Sequence, residues 1–289
     1  MKVCGFSFVR NAIKYGYPIK EAIMSALPLC DTFVIAVGNS EDGTLDYIKS
    51  INSSKVQIIE TVWDDSLRQG GAVLAVETNK AFDAIKGDYD WCIYIQGDEV
   101  LHEKYHTTIL QEMERWKDHP KVQGLLLKYL HFWGNYNYVG NSRNWYRREV
   151  RIIRNDKAIR SYKDAQGFRK NDKKLNVKLI DAYMYHYGWV KNPALMMGKL
   201  KDTSKLWHND EWIKDRFKEQ DMFDYSEVNL IELFHGSHPL VMEELINNVN
   251  WNVELDPKKA IFSFKEKVLH VIERKTGKRL FEYRNYRLV

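Results

Sequence analysis

Trp91-Cys92-Ile93-Tyr94-Ile95-Gln96-Gly97-Asp98-Glu99 is an apolar, β-prone run that breaks at a glycine and then delivers two adjacent acids. A strand with no polar side is buried on both faces, the setting of strands in parallel sheets covered by helices. Such sheets bind ligands outside the carboxyl ends of their strands. The run therefore decides two things together: an α/β fold, and a candidate site at Asp98 and Glu99.

Working outward toward the N-terminus, Val3 to Val9, Thr32 to Val37 and Val56 to Val62 read as further strands. Helical spacing appears between them over Ile19 to Leu27, stopped near Pro28, over Leu45 to Ile51, and over Gly71 to Ile85. Strands separated by helices predict a parallel sheet, and the right-handed rule for crossovers makes it doubly wound. Toward the C-terminus the pattern gives a helix at Tyr105 to Lys117, a strand at Gly124 to Tyr129, a loop of aromatics and asparagines from His131 to Tyr146, and strands at Arg151 to Arg154 and Leu179 to His186. From Pro193 the chain reads as mainly helical. The expected organisation is an α/β domain over residues 1–190, a mostly parallel sheet flanked by helices, and a mainly helical extension over 191–289 packed on it.

Bulk properties narrow the function classes. Apolar residues make up 44% and charged residues 29%, so the whole chain is expected to fold. No apolar run approaches the roughly 20 residues of a membrane span, and no basic-then-apolar leader opens the chain, which predicts a cytoplasmic protein. Cys4, Cys30 and Cys92 are odd in number and sit in apolar stretches, so they read as small buried hydrophobes. The net charge is +5, concentrated between Arg274 and Arg287, a basic tail suited to peripheral contact with an anionic membrane surface or polyanion. No basic stripe interleaved with aromatics accompanies the sheet, which argues against nucleic acid as a partner.

Asp98 and Glu99 suit a hard divalent cation, Mg²⁺ or Mn²⁺, which prefers carboxylate and phosphate oxygens and offsets the charge that grows on a departing diphosphate. Asp98 is the leading ligand. Taken alone, the pair fits a helix N-cap equally well.

Three stretches together resemble the family-2 glycosyltransferases, which share the GT-A nucleotide-diphospho-sugar transferase fold. Phe6-Ser7-Phe8-Val9-Arg10-Asn11 stands where that family has its first strand and nucleotide-contacting loop. Ser40-Glu41-Asp42-Gly43-Thr44 matches its Ser-Thr-Asp-Gly-Thr turn, and Ile95-Gln96-Gly97-Asp98-Glu99 falls on its Leu-Asp-Ala-Asp-Glu segment, whose second Asp binds the metal. The resemblance implies a nucleotide-diphospho-sugar donor contacted by Arg10, Asn11, Asn39, Asp42, Arg68, Gln96 and Gly97, and a metal held by Asp98, Glu99 and a histidine after the last strand, His186. Val37 and Gly38 stand where the family usually has acids for base and ribose, and Gln96 replaces the first acid of the metal motif. The nucleotide therefore leans harder on Arg10, Asn39 and Arg68.

The resemblance also implies inversion at the anomeric carbon, which needs a base for the acceptor hydroxyl. Asp164 is the leading candidate and Glu149 its competitor. Phe132, Trp133, Tyr136, Tyr138, Trp145 and Tyr146, interleaved with glycines and asparagines, read as an acceptor groove, with Trp133, Tyr136 and Trp145 contacting a glycan or lipid-linked acceptor. Of Arg151 and Arg154, at most one faces a diphosphate by strand alternation. His235-Gly236-Ser237-His238-Pro239 reads as a structural turn. The expected activity is a metal-dependent hexosyl transfer in envelope or polysaccharide assembly. Two alternatives stand beside it: a non-catalytic carbohydrate- or nucleotide-sugar-binding protein on the same fold, supported by Val37 and Gln96, and a sugar-phosphate nucleotidyltransferase, disfavoured by the lack of a glycine-rich basic loop after the first strand.

Overall fold

A computed structural model describes residues 1–218, 220–228, 230–259 and 264–289. Strand and helix alternate through the first part as the hydrophobic pattern dictates: β1 (Val3–Val9), α1 (Ile19–Ala26), β2 (Thr32–Gly38), α2 (Thr44–Lys49), β3 (Val56–Thr61), α3 (Ala72–Asp83) and β4 (Trp91–Tyr94). Next come β5 (Glu99–Leu101), α4 (His106–Trp116), β6 (Gly124–Trp133), β7 (Tyr138–Gly140) and β8 (Arg148–Arg154). A small separate sheet, β9 (Ile159–Ser161), β10 (Phe168–Lys170) and β11 (Lys173–Lys174), precedes the long β12 (Asn176–Trp189). The remainder holds α5 (Pro193–Thr203), α6 (Asp210–Arg216), β13 (Ile231–Leu233), α7 (Glu243–Asn247), α8 (Phe264–Thr276) and β14 (Arg287–Leu288).

The central path of the large sheet runs β3-β2-β1-β4-β8-β6-β12. All of these strands but β8 point the same way, so the sheet is mostly parallel as expected. Successive side chains alternate between two cores. On one face Val9, Ile35, Ile93 and Leu125 meet Ile19 and Ile23 of α1 and Ile109 and Met113 of α4. On the other Phe6, Val34, Cys92 and Leu126 meet Ala81 and Phe82 of α3 and Phe168 of the small sheet. The three cysteines are buried and unpaired.

One expectation needs correction. The segment read as a loop from His131 continues β6 to Trp133 and then forms β7, because Phe132 stacks on Tyr187 and Tyr185 of the neighbouring β12 and the segment around Tyr225 and Val253 covers Trp133. The part read as mainly helical carries α5 to α8 and also lends two short strands, β13 to β7 and β14 to β12, pairings between distant segments that local periodicity does not register. Of the basic tail, Arg279 turns inward onto Glu273 and the Trp145 carbonyl, and Arg284 lies near Glu282, while Arg274, Lys275 and Lys278 are exposed. No helix among the described residues is long and apolar enough to cross a membrane.

Candidate active site at the carboxyl ends of the strands

After β4 the chain makes a tight turn closed by Glu99 N–H donating to the Gln96 carbonyl at 3.1 Å. Glu99 is fully buried, and a buried carboxylate must be paired. Arg151 on β8 supplies a bidentate partner, its Nη2 2.8 Å from Oε1 and its Nε 2.9 Å from Oε2, while Tyr129 Oη and Gln96 N donate the remaining bonds. Expected as a metal ligand, Glu99 is instead the anchor of the turn, with both oxygens engaged away from the cleft. Arg151 is thereby excluded from a diphosphate role, and Arg154 lies flat on Trp91 with its ring centroid 3.8 Å from the guanidinium.

Asp98, one residue earlier, faces the other way, and its carbonyl accepts Tyr187 N–H at 2.8 Å. Its Oδ2 lies 3.7 Å from His186 Nε2 and 3.8 Å from Lys199 Nζ. Expected after the last strand, His186 sits within β12, directly opposite Glu99 of β5. Gly188 makes the meeting sterically feasible, since a Cβ there would stand 2.7 Å from both Asp98 Oδ2 and His186 Nε2. Burial pushes the Asp98 carboxyl up, but His186, Lys199 and Lys191 outweigh it and hold the group below its ordinary range. Burial lowers His186 against the pull of Asp98, and lowers both lysines, Lys191 most. Behind His186, His131 is held neutral by burial, its pKa lowered to about 3.

Asp98 stands on the wall of a cleft of about 650 Å³ that also carries Arg10, Asn11, Lys14, Tyr17, Trp63, Arg68, Gln96 and Gly97. A chamber of about 310 Å³, lined by Asp98, His186, Trp189, Lys199 and Trp207 among others, shares the Asp98–Lys199 wall. Among the described residues no group of three or more His, Cys, Asp or Glu side chains is placed to hold a metal. Asp98 and His186, 3.7 Å apart, are the two side chains that could hold one. That donor set fits Mg²⁺ or Mn²⁺, ions that commonly take one or two protein ligands and complete their shells with phosphate oxygens and water.

The structure brings Arg10, Asn11, Arg68, Gln96, Gly97, Asp98 and His186 to these two cavities. Arg10 is paired with Asp65 at 2.6 Å, and Arg68 donates to the Lys205 and His208 carbonyls and to Asp210. Asn39 and Asp42 stay off the wall. Asn39 Oδ1 accepts Trp63 N–H, and the Asp42 carboxylate accepts the N–H groups of Lys14 and Thr44, so both stitch turns together. Asp164 is half-buried with its Cβ close to Gly71 and Trp207, and it lines neither cavity. Its expected competitor Glu149 is sealed away from both cavities with Oε2 unpartnered, and burial pushes its pKa up to about 8, so it is protonated at neutral pH and unsuited to act as a base.

The expected acceptor groove is corrected as well. Trp133 and Tyr136 are only 6% and 8% exposed and belong to aromatic cores, and Trp145 is half-buried against His131. The indoles that do reach a cavity are Trp63, Trp189 and Trp207. Sequence reading missed these, together with Tyr17, Lys191, Lys199 and His131; only folding brings them near Asp98. In the His235–Pro239 turn, His238 bonds Tyr187 Oη and the Tyr136 carbonyl, and Ser237 bonds His102.

A mostly parallel sheet with one reversed strand inside it, and an acid turned into a cleft at the end of its fourth strand, has a recognisable architecture. The fold is GT-A-like. No protein-family model and no curated protein matches the chain. Among solved structures, Staphylococcus aureus TarS is similar over 70% of this chain and 38% of its own, at 16% identity and a TM-score of 0.40. A shorter form of it, residues 1–349 in complex with UDP, gives 15% identity, coverage of 70% and 64%, and the same TM-score. Glucosyl-3-phosphoglycerate synthase from Mycobacterium tuberculosis, in complex with Mn²⁺, UDP and phosphoglyceric acid, is similar over 45% of this chain and 43% of its own, at 15% identity and a TM-score of 0.31. A 4-diphosphocytidyl-2C-methyl-D-erythritol synthase from Anaerococcus prevotii covers 85% and 93% at 8% identity and a TM-score of 0.33. This chain thus spans less than two thirds of the length of either TarS form. At such identities and TM-scores the likenesses carry no inference about the reaction.

Proposed function

We propose that this protein transfers a sugar from a nucleotide-diphospho-sugar to a hydroxyl acceptor, with Mg²⁺ or Mn²⁺ held by Asp98 and His186. The observation that carries the reading is the approach of the Asp98 carboxylate to His186 Nε2, 3.7 Å, at the carboxyl ends of parallel strands, with Asp98 lining both the cleft and the smaller chamber and His186 lining the chamber. At about 650 Å³ the cleft lies within the range of roughly 300–1,000 Å³ typical of small-molecule sites. When bound, the ion supplies neutralising charge for the departing diphosphate.

The chain's own groups do the rest. Lys14, Arg10 and Arg68 bring positive charge to the larger cavity, where the nucleotide lies. Lys199, buried beside Asp98, adds a fixed cation at the junction of the two cavities, where the bond to the leaving group breaks. Trp189 and Trp207 offer aromatic faces to a sugar ring in the smaller chamber. Asp164, close to Trp207 beside Gly71, is the base of an inverting transfer in this reading. A hexosyl donor, a glycan or lipid-linked acceptor, a place in envelope or polysaccharide assembly and action at the inner face of a membrane complete the proposal.

Calorimetric titration with UDP-, GDP-, CDP- and dTDP-sugars, with and without Mn²⁺, tests it. Binding that requires Mn²⁺ and weakens about 10–100-fold or more in Asp98→Ala is the expected result, judged from the smaller effect of disturbing a ligand's surroundings. A second reading has its own observation: Lys199 Nζ stands as close to Asp98 Oδ2 as His186 does, so the protein carries a built-in cation. Tight binding indifferent to Mn²⁺ and lost in Lys199→Met would replace the metal with that lysine.

A further inference from the structure

His131 is 2% exposed, with its imidazole stacked between the rings of Tyr129 and Trp145 at 5.4 and 5.0 Å. Its two nitrogens are both engaged. Nε2 lies 2.7 Å from the Tyr146 carbonyl oxygen, and Nδ1 lies 3.1 Å from Nδ1 of His186. A carbonyl only accepts, so the His131 proton is on Nε2. A neutral imidazole has one N–H, so its Nδ1 is an acceptor. His186 Nδ1 must then be the donor of the bond between the two rings. In a neutral His186 the remaining nitrogen, Nε2, then carries a lone pair, and that lone pair faces the Asp98 carboxylate at 3.7 Å.

We propose that His131 is a positioning residue that fixes His186 as its Nδ1–H tautomer, through the chain Tyr146 C=O, His131, His186, and so keeps His186 Nε2 presented with Asp98 to a divalent cation. The inference rests on the reading that such an ion binds at Asp98 and His186. A ligating imidazole whose second nitrogen donates to a fixed acceptor is oriented and made more basic. Here that acceptor is another histidine, clamped by aromatic rings so that it cannot turn away. Two acceptors facing each other repel unless a cation lies near both; Lys199 Nζ, 3.8 Å from Asp98 Oδ2, answers that on the carboxylate side, and an ion held by both side chains would answer it on the imidazole side as well.

Two readouts separate the relay from the metal reading. Long-range ¹H–¹⁵N correlation spectra of the wild-type protein without metal should show His186 protonated at Nδ1; an Nε2–H assignment overturns the proposal. Titration with Mn²⁺ in the presence of UDP should give a dissociation constant about 10–100-fold weaker in His131→Phe, which keeps the ring stack and loses both hydrogen bonds. His131→Gln, whose amide can donate to Tyr146 and accept from His186, should recover most of that loss, and it covers the case in which the Phe variant does not fold. Wild-type affinity in a folded His131→Phe variant, or no difference between Phe and Gln, overturns the proposal. A wild-type protein that shows the Nδ1–H tautomer and yet binds no Mn²⁺ with UDP sinks the metal reading, and with it the relay's proposed use, while leaving the tautomer assignment in place.

Discussion

Any Cβ at position 188 would stand within 2.7 Å of both the Asp98 and His186 side chains. Gly188→Ala therefore wedges a methyl group between the two candidate ligands without altering either. The expected outcome is an affinity for nucleotide with Mn²⁺ lowered about tenfold or more, with an unchanged circular dichroism spectrum; parent-like binding would show that these two side chains do not act together. Glu149 gives a second residue-scale prediction. Burial, opposed by Arg151 and reinforced by Glu99 and Asp164, raises its pKa to about 8, whereas in an unfolded chain it titrates near about 4.3. Between those values the folded state holds a proton that the unfolded state has released, so this group makes stability fall as pH rises, by about 1.4 kcal/mol per pH unit. Glu149→Gln removes that slope. Urea melts should show variant and parent nearly equal at the acid end of the window and the variant ahead at pH 8, and a gap independent of pH would refute the assignment.

At the scale of elements, the turn that aims Asp98 depends on an ion pair between β5 and β8 with almost no solvent access, the side chains of Glu99 and Arg151 being 0% and 2% exposed. Removing one partner of such a pair strands a buried charge, at a cost of about 3–5 kcal/mol. Arg151→Met is expected to lose that much in a denaturant titration, and Glu99→Leu combined with it should recover most of the loss. A single variant as stable as the parent would mean that water reaches Glu99. The same elements show what a sequence discloses. β1, β2 and β4 were legible from apolar runs because strands buried on both faces have no polar side to confuse the pattern. β5 was not, because its three residues gain strand character only by pairing with Met184–His186 of β12. Glu99 looked like Asp98's twin until folding brought up Arg151, a partner 52 positions away. Trp133 and Tyr136 looked like groove residues because glycine and asparagine surround them, while their covers lie near Tyr225, Val253 and Tyr187.

Across the whole molecule, the cleft is roofed by the later half of the chain. Asp202 on α5 meets Lys14 at 2.9 Å and Tyr15 Oη at 3.1 Å, Gly71 N–H donates to the Leu206 carbonyl, and Arg68 ties its loop to residues 205–210. That explains why the site was only half visible in the sequence. Asp98 and Arg10 announce themselves by local context, whereas Lys191, Lys199 and Trp207 acquire meaning only once this roof has closed. Arg68→Ala should change global stability by no more than about 1 kcal/mol, as for other exposed ion pairs, yet speed nucleotide release severalfold in a stopped-flow chase. A release rate equal to the parent's would mean that the roof does not gate the cleft.

The pairing of His186 with Glu99 across β12 and β5 carries one more consequence. Neighbouring positions in a strand look in opposite directions, so losing or gaining a single amino acid between Tyr183 and His186 would present Tyr185 or Tyr187 to Asp98 and turn the imidazole into the interior. The chemistry at this spot is thus digital with respect to chain length: substitutions can tune it by degrees, but an indel there switches it off in one step.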